Sequence, residues 1–320
     1  MRILFVTANR IGDAVLSTGL LSHLIEQYPD ARFTVAAGPA SAPLFADMPR
    51  LDRIIIMRKQ PLSMHWLYLW LACVTKKWGV VLDLRRSALG FLLLARKRFI
   101  AVKSTSGAHR VRQLATTLDL TNNPPAPKLW SGADAEETAR ALIPDGAPVL
   151  AIAPAANWPG KQWRPEYFAE LVERLTGPTG ALNGAKVAVF AAAHERDQIK
   201  ALLDAIPDER RIDLVGKTGL TAAIACLRRC ALFIGNDSGL MHMAAAAGAP
   251  TLGLFGPSRD EHYAPWGPKA ALVRTVESYD DLVSAPGYDH RTTGTLMDGL
   301  SVDAAEGAAI KLWLRVSETP

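Results

Sequence analysis

A chain of 320 residues is about two domains long at the usual ~100–200 residues each, and 49% hydrophobic with 21% charged residues is globular rather than disordered composition. Three cysteines, Cys73, Cys226 and Cys230, are too few and too irregularly spaced for a disulfide framework. The net charge of +5 conceals an asymmetry: residues 1–145 carry 19 Lys/Arg against 11 Asp/Glu, and the remainder carries 17 against 20.

Cys226 and Cys230 stand at helical i,i+4 spacing, but no histidine or further cysteine completes a zinc set, so they read as buried thiols in a reducing compartment. The N-terminus, Met1-Arg2-Ile3-Leu4-Phe5-Val6, starts directly as a strand and lacks the layout of a signal peptide. Trp66–Val74 and Ala88–Ala95 are the most apolar stretches, well short of the roughly 20 residues that span a bilayer. A cytoplasmic protein is expected, with room for contact at a membrane surface. From Arg50 to Arg112 there are 14 basic residues and 2 acidic. That run is either a solvated surface or a cationic face for an anionic partner such as phosphorylated lipid or nucleic acid.

Along the first half, β-branched runs predict strands over Arg2–Thr7, Arg32–Ala37, Arg53–Met57, Gly79–Leu84 and Phe99–Lys103. Helix-like segments lie between or after them, at Ala14–Gln27, Ser63–Lys77, Ser87–Ala95 and Val111–Leu120. Residues Asn122 to Ala147, with Pro124, Pro125, Pro127 and Pro144, break the pattern and predict an interdomain linker. The alternation then restarts. Strands are predicted over Val149–Pro154, Lys186–Ala191, Arg211–Val215, Ala231–Gly235 and Pro250–Phe255, and helices over Pro165–Leu175, Glu195–Ala205, Leu220–Cys230 and Leu240–Ala247. A closing helix over 302–316 follows, left free to pack back on the first domain.

Apolar strands separated by helices indicate parallel sheets covered on both faces. The expected fold is α/β, with two sequential Rossmann-like, doubly wound domains over 1–145 and 146–320 that face a central cleft. In such sheets ligands sit at the carboxyl ends of strands, so reactive residues belong in strand-to-helix loops.

The first such loop, Asn9-Arg10-Ile11-Gly12-Asp13, has no Gly-x-Gly-x-x-Gly and so no ordinary dinucleotide fingerprint. Asp13 is either a helix N-cap or, in a cleft, a general base for an acceptor hydroxyl. In the second, Asn157-Trp158-Pro159-Gly160-Lys161, the lysine is suited to phosphate. The third is Gly235-Asn236-Asp237-Ser238-Gly239-Leu240-Met241-His242. Ser238 and Gly239 fall where free amides and the helix dipole favour an anion, and His242 lies a turn further on, either packed or facing a ligand. Gly216-Lys217-Thr218 ends another strand and is a candidate wall of a nucleotide pocket. No Asp-x-Asp occurs, so the carboxylate pair usual for a metal-bound nucleotide diphosphate is missing.

Together these loops resemble glycosyltransferase family 9, the lipopolysaccharide heptosyltransferases. The likeness is carried by Ile11-Gly12-Asp13-Ala14-Val15-Leu16-Ser17-Thr18, by Pro154 through Trp163, and by Gly235 through His242 continuing to Phe255-Gly256-Pro257. It implies a GT-B fold and inverting, metal-independent transfer of heptose from ADP-heptose, with no cofactor. By position, Asp13 would be the general base, Lys161 a donor-phosphate ligand, and Asp237 a contact to the donor sugar. Ser238, Gly239 and His242 would surround the diphosphate. Leu240 stands where many members have proline, and 277–299 maps onto no family feature.

The resemblance also gives the basic face a partner. Arg58, Lys59, Arg85, Arg86, Arg96, Lys97, Arg98, Arg110 and Arg112 lie in the half that binds acceptor in this family. An anionic glycolipid, the nascent lipopolysaccharide core at the inner-membrane surface, is the expected partner. Nucleic acid is not expected, because aromatics do not interleave with the basic residues. The alternatives are a GT-B enzyme with another nucleotide sugar or acceptor, such as an epimerase, and a non-catalytic sugar-nucleotide-binding homologue.

Overall fold

The computed structural model describes residues 1–103, 107–289 and 292–318. The chain forms two compact units, Met1–Gly132 and Ala133–Pro320.

In the first unit, β1 (Arg2–Val6), α1 (Ile11–Gln27), β2 (Arg32–Ala37), β3 (Leu51–Ile56), α2 (Met64–Cys73), β4 (Trp78–Asp83), α3 (Leu89–Leu92), β5 (Ala95–Ile100) and α4 (Arg110–Ala115) follow in order. The five strands make one parallel sheet, β3-β2-β1-β4-β5, with Phe5 opposite Val35 on one side and Leu82 on the other. The central strands are apolar throughout because helices cover both faces. Leu4, Val6, Val81, Leu69, Cys73 and Leu89 form one core layer, and Phe5, Phe33 and Phe45 are also fully buried. Each such side chain contributes ~1.5–3 kcal/mol. The chain at 125–128 crosses α1 where there is room only for glycine: a Cβ on Gly19 would lie 2.1 Å from the Pro125 carbonyl oxygen.

The second unit contains α5 (Ala133–Leu142), β6 (Val149–Ala153), α6 (Pro165–Thr176), β7 (Lys186–Val189), α7 (Lys200–Ala205), β8 (Arg211–Asp213), α8 (Leu220–Arg228), β9 (Leu232–Asn236) and α9 (Gly239–Ala247). Then come β10 (Thr251–Phe255), α10 (Asp260–Tyr263), β11 (Ala270–Arg274), α11 (Tyr279–Val283) and α12 (Val302–Ser317). Its six strands form a parallel sheet, β11-β10-β9-β6-β7-β8. Ile152, Val187, Ile234 and Leu254 meet Trp163, Phe168 and Leu171 in its core.

Three expectations change. The stretch expected as linker contains α5, because its prolines flank residues 133–142 and none falls inside them. Ala135 and Ala139, one turn apart, are buried as α5 packs on α8, and Arg228 pairs with Glu136 at 3.0 Å. The boundary therefore falls at 132/133 rather than 145/146. The closing helix, left free to return to the first half, belongs to the second core: Val302, Ala305, Ala309 and Leu312 are buried there, and α12 packs on α6, β10 and β11. β5 starts at Ala95 rather than Phe99, so three charged residues, Arg96, Lys97 and Arg98, lie on an edge strand. Edge strands tolerate such charge.

In each sheet the strand order reverses once. After β1 the chain runs through β2 to β3 on one side, and β4 and β5 then add on the other. After β6 it runs through β7 to β8, and β9, β10 and β11 follow on the opposite side. The reversals place the switch points between β1 and β4 and between β6 and β9, where open parallel sheets bind ligands.

Candidate active site

The loops leaving β6 and β9 are held together by a buried amide. Asn236, fully buried at the end of β9, donates from Nδ2 to the Pro154 carbonyl at 2.6 Å and accepts the Trp163 amide on Oδ1 at 3.2 Å. One residue on, Asp237 is only 6% exposed, and its backbone amide donates to Leu254. A short 3-10 turn over Pro159–Lys161 then brings the Lys161 ammonium to Asp237 Oδ2 at 2.5 Å. This ion pair bridges the switch point of the second sheet. His242 lies one turn into α9, buried, with Nε2 3.8 Å from the other Asp237 oxygen and its ring edge-on to Tyr263.

Ser238 is the N-cap of α9 in extended conformation, but its hydroxyl makes no capping bond. The Ser238 and Ser258 hydroxyls and the Trp158 indole N–H are buried without a hydrogen-bond partner among the described residues. All three stand in loops at the carboxyl edge of this sheet. Buried polar atoms are seldom left so, and a polar ligand would satisfy them. The first amides of α9 are also free of intrahelical partners and carry the positive end of its dipole.

Residues 295–300, for which the sequence offered no role, support the Lys161 loop from behind. Leu296 donates its amide to Gly160, Thr295 its hydroxyl to the Gln162 carbonyl at 2.5 Å, and the Trp163 indole bonds the Leu300 carbonyl at 2.9 Å. Arg164 and Asp298 add a bidentate pair with both bonds at 2.6 Å. Neither Asn236 nor this support could be assigned from the sequence, since each acts only through residues distant in the chain.

In the first unit, Asp13 is the third residue of α1 and half-buried. It does not cap: the N-cap position is Arg10, which makes no side-chain capping bond. No hydrogen bond or ion pair to the Asp13 carboxylate occurs among the described residues, while its place in the first turn suits the helix dipole. Across the switch point, Asp83 is fully buried at the end of β4. It accepts the amides of Arg85 and Ser87 at 2.8 Å each and the Ser87 hydroxyl at 2.5 Å. This turn sends the Arg85 guanidinium to Asn9 Oδ1 at 2.8 Å and over the Trp66 ring at 5.4 Å. Arg85 thus stands beside the loop that carries Asp13. Arg86 follows at positive φ, exposed. Arg58 and Lys59 are exposed beyond β3, two strands from β1, while Arg110 and Arg112 lie on α4, where Arg110 bonds Gln113.

Gly216, Lys217 and Thr218 do not join the Lys161–Asp237 cluster. They follow β8, two strands from β6 and so ~10 Å along the sheet. Gly216 takes φ +70°, and Lys217 is drawn to Asp213 at 3.6 Å. Burial pushes the Asp213 carboxyl up, but the Arg196 hydrogen bond, the Val215 amide and Lys217 together hold it below the usual carboxylate range.

Two parallel doubly wound units, each with a polar loop pair at its switch point, define the GT-B architecture of glycosyltransferases. The fold superposes on Escherichia coli ADP-heptose lipopolysaccharide heptosyltransferase II with a TM-score of 0.76, over 99% of this chain and all of that one, at 21% identity. A glycosyltransferase family 9 protein from Veillonella parvula gives 0.78 over 98% and 97% of the two chains, at 19% identity. The family model for glycosyltransferase family 9 (heptosyltransferase) matches residues 52–284, and the chain belongs to this family. Among its relatives, the lipooligosaccharide heptosyltransferase 2 of Haemophilus influenzae is 26% identical over 87% of this chain and 89% of the relative. The lipopolysaccharide heptosyltransferase 2 of Escherichia coli K12 is 26% identical over the same shares. The protein is therefore a glycosyltransferase enzyme of the heptosyltransferase type.

Proposed function

We propose that this enzyme transfers a heptose from ADP-heptose to a phosphorylated lipopolysaccharide core acceptor, with inversion and without a metal or other cofactor. The observation that carries the reading is the Lys161–Asp237 pair at the second switch point, beside the N-terminus of α9. It offers a cation for a diphosphate and a carboxylate for sugar hydroxyls. The names of the relatives support the donor and acceptor: one solved neighbour is an ADP-heptose heptosyltransferase, and another holds ADP.

In this reading Asp13 takes the proton of the acceptor hydroxyl as its oxygen bonds to the anomeric carbon. The bond from that carbon to the donor phosphate oxygen breaks, and its electron pair leaves with ADP. Lys161, the α9 amides, Ser238, Gly239 and His242 hold the growing negative charge, which is what selective stabilisation of the transition state requires. Gly216, Lys217 and Thr218 are assigned to the rim of the nucleotide pocket. Arg85, with Arg58, Lys59, Arg86, Arg110 and Arg112, is assigned to acceptor phosphates, at the cytoplasmic face of the inner membrane. The metal-free reading rests on the sequence, which contains no Asp-x-Asp pair.

The test is a donor panel with ADP-heptose and UDP-sugars, run with core-truncated lipopolysaccharide in the presence of EDTA. Transfer from the ADP-sugar alone, with an inverted anomeric centre by NMR, is expected. Turnover of a UDP-sugar without acceptor would replace transfer by epimerisation, and loss of activity in EDTA would remove the metal-free step.

A further inference from the structure

The first unit leaves an apolar surface uncovered. Helix α2, Met-His-Trp-Leu-Tyr-Leu-Trp-Leu-Ala-Cys, contains no Lys, Arg, Asp or Glu. One side of it enters the core through Leu69 and Cys73. The other side carries Met64, Leu67, Tyr68 and Leu71, spaced i, i+3, i+4, i+7 and between 36% and 58% exposed. A helix apolar on all sides is normally buried in a core or a membrane. Beside it α3 turns Phe91 outward at 73% exposure, with Leu92 and Leu94 also exposed, and the Trp70 indole ties the two elements by donating to the Leu92 carbonyl at 3.3 Å. Ten of the fourteen exposed large hydrophobic residues among the described residues fall between Ile56 and Val102. Such clustering marks an interaction surface rather than scattered exposure.

The same stretch is the basic one. Lys77 follows α2, and Arg96 and Arg98 project from β5 on the side of α3, where Arg98 bonds the Gly90 and Leu93 carbonyls. A second copy seated on this face would set the basic run against itself in a two-fold contact. A surface that is apolar at depth and anionic on top fits both properties. We propose that α2, α3 and the edge strand β5 form a docking face for an anionic lipid bilayer, with the Leu67–Leu71 stripe entering the headgroup boundary and the cations meeting lipid phosphates. Its position is apt for a lipid-borne acceptor. Trp66 of α2 stacks under Arg85, which is bonded to Asn9 of the Asp13 loop. The membrane docking itself is independent of which donor the enzyme uses.

The test is co-sedimentation of the full chain with vesicles free of glycolipid, made of phosphatidylcholine alone or with phosphatidylglycerol. Partition onto the anionic vesicles, falling as salt is raised from 50 to 500 mM, is expected. Leu67→Gln with Leu71→Gln should lower that partition by about tenfold or more, and Lys77→Gln or Arg96→Gln by about fivefold each. The Leu67→Gln/Leu71→Gln variant should keep wild-type turnover on a short, lipid-free acceptor, which also reports that it folds. Wild-type chain that stays in solution with anionic vesicles, or binds both vesicle types alike at every salt concentration, overturns the proposal. So does a wild-type dimer that the double variant dissociates without any vesicle binding. Docking without sugar transfer would leave this proposal standing and sink the reaction proposed above.

Discussion

Under the proposed function, removing the Lys161 ammonium should do more than delete one donor ligand, because of what it leaves behind. The lysine is 23% exposed and its partner Asp237 only 6%, so Lys161→Ala strands a nearly buried carboxylate at the mouth of the site. A charge-assisted hydrogen bond to a donor phosphate contributes ~1.5–3 kcal/mol, or roughly 10–150-fold in ADP affinity. The stranded carboxylate then repels the incoming diphosphate by a further ~1–2 kcal/mol, at the effective dielectric suited to partly buried pairs. Asp237→Asn alone keeps the cation and removes the repulsion, so ADP should bind at least as well as to the wild type. The double variant should therefore bind ADP about fivefold or more tightly than Lys161→Ala alone, an inversion of the usual order for double substitutions. Calorimetric titration with ADP measures all four corners of the cycle. Equal ADP affinity for Lys161→Ala and wild type, or a double variant weaker than both singles, would show that the pair is a structural tie and no phosphate site.

Asp13→Ala should lower turnover by about 10²–10⁴-fold, the usual worth of a general base, with ADP affinity unchanged; parallel loss of both would return Asp13 to a role in holding α1. All three cysteines are buried, and burial holds the Cys226 thiol up to about 11 and pushes Cys230 and Cys73 upward as well. At pH 8 the Cys226 thiolate is then about one part in a thousand, so an aromatic disulfide reagent should label none of the three until denaturant is added. Asp213→Asn should cost ~0.5 kcal/mol at pH 7, small because Arg196 is 43% exposed. Because the folded carboxyl is held below its unfolded value, that stability is present above about pH 4 and lost as pH falls through the folded pKa; urea unfolding at pH 7 and pH 3 reads the difference, and an equal cost at both values would refute the linkage.

The central strands were legible because they are buried on both faces and appear as unbroken apolar runs: β1, β2, β6 and β10 lie within about a residue of their expected ends. The edges were not. β5 is masked by Arg96-Lys97-Arg98, and β11 closes the far edge of the second sheet with a half-buried Ala-Ala-Leu-Val-Arg that resembles a loop run. For α5, the surrounding prolines outweighed the weak apolar signal of two alanines. The site divides similarly. Lys161 and Asp237 were each visible in a strand-to-helix loop, but they are 76 residues apart and only the strand order makes them neighbours. Asn236 and residues 295–300 act by geometry alone, without a residue pattern to announce them.

The support behind the Lys161 loop also sets an order of assembly. Trp163 is fixed by the carbonyl of Leu300, 137 residues later in the chain. During synthesis at about 5–20 residues per second, the loop therefore waits on the order of ten seconds for its prop to be made. Until then β6, α6 and β9 can form and Asp237 can reach the lysine, but the Trp163 indole lacks its carbonyl partner. Under the proposed function, the lysine loop gains its last support only once residue 300 has been made. The enzyme is in this sense timed by its own connectivity.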